Sequence, residues 1–334
     1  MASEQAVSKK ARFLKGLNSP TLRQRKLDKK LLSSRRLHTK KQIMKSFHAD
    51  LHCHSTFSDG TLSPSALAQR ASRQGVSLWA LTDHDEMGGL DEALTAAHAQ
   101  GIDFLSGVEI SVSFANTTVH IVGLGCDHHH PLLRQGLHSM RHNRGPRAQE
   151  MGRQLAQAGI AHAYEGALKY VGNPALISRT HFARYLVEAG YCKDTYDVFK
   201  NYLVEGKPGY VPQQWASLQD AVDWITQAQG VAVIAHPARY NFSPTQEYAF
   251  FSSFKTYGGQ AVEAVTGSHS PHEYTRYADL AKEFGFAISR GSDFHCPQES
   301  QVDLGELPKD PPGHTGVWEL LAHRIQKAPS GQKY

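Results

Sequence analysis

The chain has 334 residues, 40% of them apolar, and no apolar run approaches the roughly 20 residues that a membrane-spanning helix needs. Its net charge of +5 divides unevenly, because residues 1–43 hold 13 Lys/Arg against 2 Asp/Glu while the remainder is acidic. Cys53, Cys126, Cys192 and Cys296 show no Cys-x-x-Cys spacing, and the basic amino terminus has no apolar signal-type stretch; this argues against a disulfide framework or secretion and for a reduced cytoplasm.

Residues 1–43 lack periodicity and read as a disordered basic leader. Such a segment suits an arm that contacts RNA or an upstream extension without consequence for turnover. Met44 stands directly before the first strand-like run, and the second reading is the expectation. From there short apolar runs alternate with amphipathic stretches. Residues 47–51 predict a strand, Ser63-Pro64 a helix start with Pro at its first position, and 65–74 the helix. A strand over 77–81, a helix over 88–100 and strands over 103–106 and 118–123 follow. His128, His129 and His130 read as a polar loop before Pro131. Residues 131–212 show helical periodicity, notably over 132–159 and 180–189, and no strand-like run. Beyond them come helix 220–229, strand 231–235, strand 260–265, helix 271–284 and strand 286–289.

Seven strands alternating with helices predict an α/β fold with a parallel sheet. Histidine and acidic residues fall at or just after nearly every strand end: His52, His54, Asp59, His84, Glu109, His120, His236, Asp293 and His295. A barrel gathers strand ends around one mouth, so a barrel formed by residues 44–130 and 213–334 is expected, with 131–212 as a helical cap over that mouth. In an extended segment residues i and i+2 share a side, so His52 and His54 converge on one ion, as do Asp293 and His295. Cys53, between two ligands, faces the other way and is read as core. Nine groups are too many for one ion and suit two or three bridged by carboxylates. Mixed imidazole and carboxylate ligation fits Mn²⁺, Fe²⁺ or Zn²⁺, whereas Mg²⁺ and Ca²⁺ favour oxygen.

The segments His52-x-His54-x₄-Asp59-Gly, Leu81-Thr-Asp83-His84-Asp85, Gly107-Val-Glu109-Ile-Ser, Ala235-His236-Pro237 and Gly291-Ser-Asp293-Phe-His295 resemble the motifs of the polymerase-and-histidinol-phosphatase (PHP) phosphoesterases. The resemblance runs from about residue 47 to the carboxyl end. It implies a distorted seven-stranded (β/α)7 barrel with a trinuclear centre, Mn²⁺ as the working metal, and catalytic roles for Asp59, His236 and His295. Arg144-Gly-Pro-Arg147, Ile177-Ser-Arg179-Thr-His181 and His236-Pro-Ala-Arg239 further resemble the branch acting on nucleoside 3′,5′-bisphosphates and on short 5′-phosphorylated RNA, as phosphatases or 5′→3′ exoribonucleases. Glu86 departs from the Thr or Ser expected after Asp-His-Asp and is expected to affect only the rim.

A hydroxide activated by the metals is expected to attack phosphorus with no protein nucleophile, leaving Ser55 and Ser292 to orient ligands or cap turns. Arg144, Arg147, Arg179 and Arg239 offer bidentate donors to a phosphate that is not cleaved. Asp83 and Asp85 are expected to orient ligand imidazoles. His181 fits a ligand-supporting, substrate-contacting or core position equally well. Two alternatives are a histidinol-phosphate phosphatase, and a nucleic-acid-binding or polymerase-accessory module whose barrel is structural.

Overall fold

The structure, a computed structural model, describes residues 47–213 and 215–329, so the basic leader lies outside the described residues. Eight strands build one mixed sheet: β1 (Ala49–Asp50), β2 (Leu78–Leu81), β3 (Asp103–Phe114), β4 (Thr117–Leu124), β5 (Ala216–Ser217), β6 (Val231–Ile234), β7 (Ala261–Thr266) and β8 (Ala287–Gly291). Seven follow the order β1-β2-β3-β4-β6-β7-β8, and β5 pairs the outer part of β3. The sheet closes where Leu51 N–H donates to the Arg290 carbonyl (3.0 Å) and His54 N–H to that of Phe294 (2.8 Å). The molecule is thus a seven-stranded α/β barrel.

Side-chain alternation explains the closure. Ala49, Leu51, Leu78, Ala80, Val122, Leu124, Val231 and Val233 point inward and fill the barrel floor, which Val317 and Leu321 plug around the short α11 (Val317–Leu320). Trp79, Leu81, Ile110, Ile121 and Ile234 point outward and meet the surrounding helices α1 (Pro64–Arg73), α2 (Leu90–Ala99), α8 (Leu218–Gln227), α9 (Pro244–Thr256) and α10 (Pro271–Phe284). Helix α1 starts as its sequence predicts, with the Ser63 side chain accepting from Ala66 N–H and Pro64 in the first turn.

Two features differ from the sequence expectation. The barrel is not all parallel, because β4 runs antiparallel to both β3 and β6. Ala115 and Asn116 both have positive φ (47° and 61°), so the chain turns in two residues instead of crossing over through a helix. The strand read as ending at 106 therefore continues to Phe114, and the β3–β4 hairpin extends beyond Glu109. Helix α9 escaped the reading because Phe250, Phe251 and Phe254 are all buried without a clean helical stripe; its start is marked by the Ser243–Gln246 capping box.

Between β4 and β5 the described residues contain helices and no strand: α3 (Pro131–His142), α4 (Arg144–Gln157), α5 (Ala163–Leu168), α6 (Arg179–Glu188) and α7 (Thr195–Val198). The helical stretch read over 132–159 is divided at Asn143. The later helices share their own core, in which Met151, Leu155, Phe182, Leu186 and Leu203 pack apart from the barrel.

Candidate metal centre

The nine predicted ligands converge at the barrel mouth. Their ligand atoms form three overlapping sets, each within 4.8 Å: His54, Asp59, His84 and His295; His52, His54, Glu109 and Asp293; and His84, Glu109 and His120. His236 joins the last set, with Nε2 3.0 Å from Glu109 Oε1 and 3.4 Å from His120 Nδ1. Glu109 is the hub. Its carboxylate lies 2.9 Å from His84 Nδ1 and His120 Nδ1, and 3.3 Å from Nε2 of His52 and of His54.

Topology accounts for this convergence. His120 sits in the first half of β4, and only because that strand runs backwards does its beginning reach the rim where the parallel strands end. The chain then bends sharply. His236 and Asp293 both have positive φ (26° and 56°), a conformation that costs a non-glycine residue on the order of 1–3 kcal/mol and is held only by its surroundings. At His236 the hold is a hydrogen bond from its own N–H to Glu263 Oε2 at 2.7 Å. Gly291 is required for a different reason: a Cβ there would stand 2.2 Å from His52 Cβ.

Electrostatics favour cations at this place. Burial opposes ionisation of Glu109, yet His120, His84 and His52 hold its carboxyl well below the usual range. Asp293 is held low against burial by Arg239 and His52, and Asp59 by His84 and His295. Burial, reinforced by Arg239, pushes His236 down to about 3, leaving a neutral imidazole with a lone pair to give. Glu109 Oε2 and His84 Nδ1, though 2.9 Å apart, and Asp59 Oδ1 are buried without a well-aligned hydrogen bond. Each such orphan costs about 1–3 kcal/mol, more when charged; divalent cations would satisfy all three, so the donor set fits a multinuclear metal site.

Supporting contacts correct one expectation and add a residue the sequence reading missed. Neither Asp83 nor Asp85 has an imidazole hydrogen-bond partner among the described residues. Asp83 accepts from Ser55 N–H (2.7 Å) and from the Ser55 and Ser58 hydroxyls, fixing the loop that carries Asp59. Asp85 accepts from Ser111 N–H and pairs with Arg144. The orienting carboxylate is Glu263, on β7, whose Oε1 is 2.8 Å from His52 Nδ1 and turns Nε2 of that ring toward Glu109. A single acid inside the apolar run Ala261-Val-Glu263-Ala-Val was the available signal. Ser55 binds Asp83, and Ser292 N–H donates to Asp50. Cys53 is buried, with the Trp79 indole N–H donating to its sulfur.

Above the ligands lies a cavity of about 320 Å³ lined by Asp59, His84, His120, Asp293, His295 and the four predicted arginines. His236 does not line it and is only 2% exposed, lying behind Glu109. The arginines divide into two kinds. Arg144 pairs with Asp85 and Arg239 with Asp293 Oδ2 (2.6 Å). Arg147 donates from Nε to the Val211 carbonyl, and among the described residues no carboxylate lies within ion-pair distance of Arg147 or Arg179. Burial first, and then the nearby Arg179 and Arg144, push the Arg147 guanidinium down to about 9. Aromatic rings, also missed in the sequence, back this wall: Trp215 lies 4.9 Å from Arg144 Cζ, and Phe199 5.8 Å from Arg179 Cζ. Arg141 instead reaches the Asp85 carbonyl and faces Glu86, which also caps Met87 and Gly88.

His181 is buried at the start of α6. Its Nδ1 accepts from Ser178 N–H (2.9 Å), and the Ser178 hydroxyl reaches Asp59 Oδ2 (3.3 Å). Burial pushes His181 down to about 4, so it is neutral. It lies buried behind Ser178, which in turn reaches Asp59.

A barrel mouth with multinuclear ligands beneath an arginine-lined cavity defines a metal-dependent phosphoesterase. Residues 50–229 match the PHP domain family, and the chain belongs to it. It is 50% identical, over 83% of its own length and 97% of the relative's, to the 3′,5′-nucleoside bisphosphate phosphatase of Chromobacterium violaceum. It is 41% identical to the 5′-3′ exoribonuclease Rnm of Escherichia coli (strain K12), over 81% of this chain and 92% of that one. A solved structure of an amidohydrolase from Chromobacterium violaceum, with bound sulfate and no metal, superposes with a TM-score of 0.83 at 48% identity, covering 85% of this chain and 99% of that one.

Proposed function

We propose that this chain hydrolyses nucleoside 3′,5′-bisphosphates, releasing the 3′-phosphate, and trims 5′-phosphorylated RNA from its 5′ end. The observation that carries this reading is the pairing, within one cavity, of a multinuclear ligand set with two half-buried arginines that lack a carboxylate. One phosphate is held over the ligands while a second answers Arg147 and Arg179, with Arg144 and Arg239 at its sides. Histidinol phosphate carries a single phosphate and would leave those cations unanswered. A purely structural barrel would not need nine convergent ligands.

His52, His54, Asp59, His84, Glu109, His120, His236, Asp293 and His295 would hold the metals, and Mn²⁺ at three positions suits their mixed nitrogen and oxygen donors. Bound cations there supply Lewis acidity and make water a nucleophile near neutral pH. Asp59 and His295 face the cavity and are the groups placed to exchange protons with water or the departing ribose oxygen; His236 serves as a ligand from behind Glu109. Helices from residues 131–212 act as a cap that shields this chemistry. Four cysteines without disulfides fit a cytoplasmic setting. Among the described residues no helix is long and apolar enough to cross a membrane.

The test compares adenosine 3′,5′-bisphosphate, a 5′-phosphorylated oligoribonucleotide and histidinol phosphate with the Mn²⁺-loaded protein. Inorganic phosphate and adenosine 5′-monophosphate are the products expected from the first. Preferential turnover of histidinol phosphate would overturn the reading.

A further inference from the structure

A second cavity, of about 180 Å³, meets the first at Arg239, Asp293 and His295, which line both. Its chemistry is different. Its one cation, Arg239, is already paired with Asp293, and its acid Glu299 is held by Arg184 through Nε and Nη2 at 3.0 and 2.8 Å. Charge here is therefore matched within the protein, and the remaining wall is polar and neutral, with Ser268, Ser300 and Gln301. The wall is also fixed. Arg184 is only 7% exposed, and the Ser300 hydroxyl accepts from His295 N–H at 2.9 Å. Such a cavity suits a neutral group with hydrogen-bonding edges, not another phosphate.

We infer that this cavity is a subsite for the nucleoside that follows the scissile phosphate in an RNA end. The inference rests on the activity proposed above. In a bisphosphate the phosphorus at the ligand set carries one carbon-linked oxygen, the 3′ oxygen of the ribose in the arginine-lined cavity. In RNA it carries a second, the 5′ oxygen of the next nucleoside, which must leave the centre by another route. The Asp293–His295 edge opens on one. Hydrolysis then breaks the bond between phosphorus and the 3′ oxygen and joins the oxygen of water to phosphorus. One proton of water passes to the departing 3′ oxygen and the other is lost from the phosphate. The products are a nucleoside 5′-monophosphate and a chain shortened by one residue that again bears a 5′-phosphate. A free bisphosphate leaves this cavity unused.

The test uses the full chain loaded with Mn²⁺ and two substitutions at exposed positions on separate loops, Ser268→Trp and Gln301→Trp. Steady-state kinetics are measured on adenosine 3′,5′-bisphosphate and on 5′-phosphorylated adenylyl-adenosine. Calorimetry measures binding of a dinucleotide analogue whose bridging 3′ oxygen is replaced by methylene. A filled subsite should lower dinucleotide kcat/KM and analogue affinity by roughly tenfold or more, while bisphosphate turnover stays within about twofold. Equal losses on both substrates, or no loss on the dinucleotide in either variant, would overturn the subsite while leaving the phosphatase reading intact. Turnover of neither substrate by the unsubstituted protein would overturn that reading itself, and the subsite with it.

Discussion

The barrel mouth and the helical segment between β4 and β5 face the same cavity, yet they handle charge in opposite ways. At the mouth Asp59, Glu109 and Asp293 are buried among imidazoles, and one carboxylate oxygen each of Asp59 and Glu109 lacks a hydrogen-bond donor. In the helical segment Arg147 and Arg179 are brought together without acids. One region is short of cations and the other short of anions. The mouth takes its precision from the closed sheet, where the ligands lie on or just past strand ends and are held by backbone bonds such as His54 N–H to Phe294 and by side chains such as Glu263 on His236 N–H. The helical region places its guanidiniums on helices with a separate small core, backed by Trp215 and Phe199. The difference teaches how the proposed activity would divide its labour: bond-breaking chemistry at the mouth, and the choice of substrate at the arginine wall.

Glu109→Gln is the most severe way to break that division. Loss of the shared carboxylate should abolish phosphate release and lower the bound metal measured by elemental analysis; wild-type metal content together with wild-type rate would refute the mouth's role. Glu263→Gln is milder, since it weakens only the carboxylate that orients His52. An effect of about 10–100-fold on metal affinity or turnover is expected, read from a manganese titration of activity and from equilibrium dialysis.

The other side of the comparison is sharpened by Arg179→Ala. Removing one charge-assisted phosphate contact should lower kcat/KM for adenosine 3′,5′-bisphosphate by roughly 10–100-fold and leave adenosine 3′-monophosphate nearly unaffected. Parallel losses on the two compounds would assign Arg179 to the chemistry instead. The smallest effect is expected outside both regions. Deleting residues 1–43 should change small-substrate turnover by less than about twofold, and a large drop in initial rate would give that leader a part in the site.

Much of the mouth was legible because metal ligation leaves a local trace. His52-x-His54 and Asp293-x-His295 follow apolar runs, and in extended chain that spacing alone puts both side chains on one side. The strand and helix alternation likewise announced an α/β barrel. Glu263 was not legible as a partner of His52, because 211 positions separate them and no local pattern links the two. The reversed direction of β4 was hidden too: an apolar run reads the same whichever way its strand is laid, and only the Ala115-Asn116 turn decides.

The sequence by itself determined the donor types, their placement near strand ends and the supply of arginines, since these depend on residue chemistry and short-range spacing. Only the tertiary structure decided that Glu109 would be shared among five imidazoles, that Arg144 and Arg239 would find acids while Arg147 and Arg179 would not, and that His236 would lie buried behind Glu109. The reason is physical. Pairing and burial depend on distances between residues far apart in the chain, and those distances exist only once the barrel has closed.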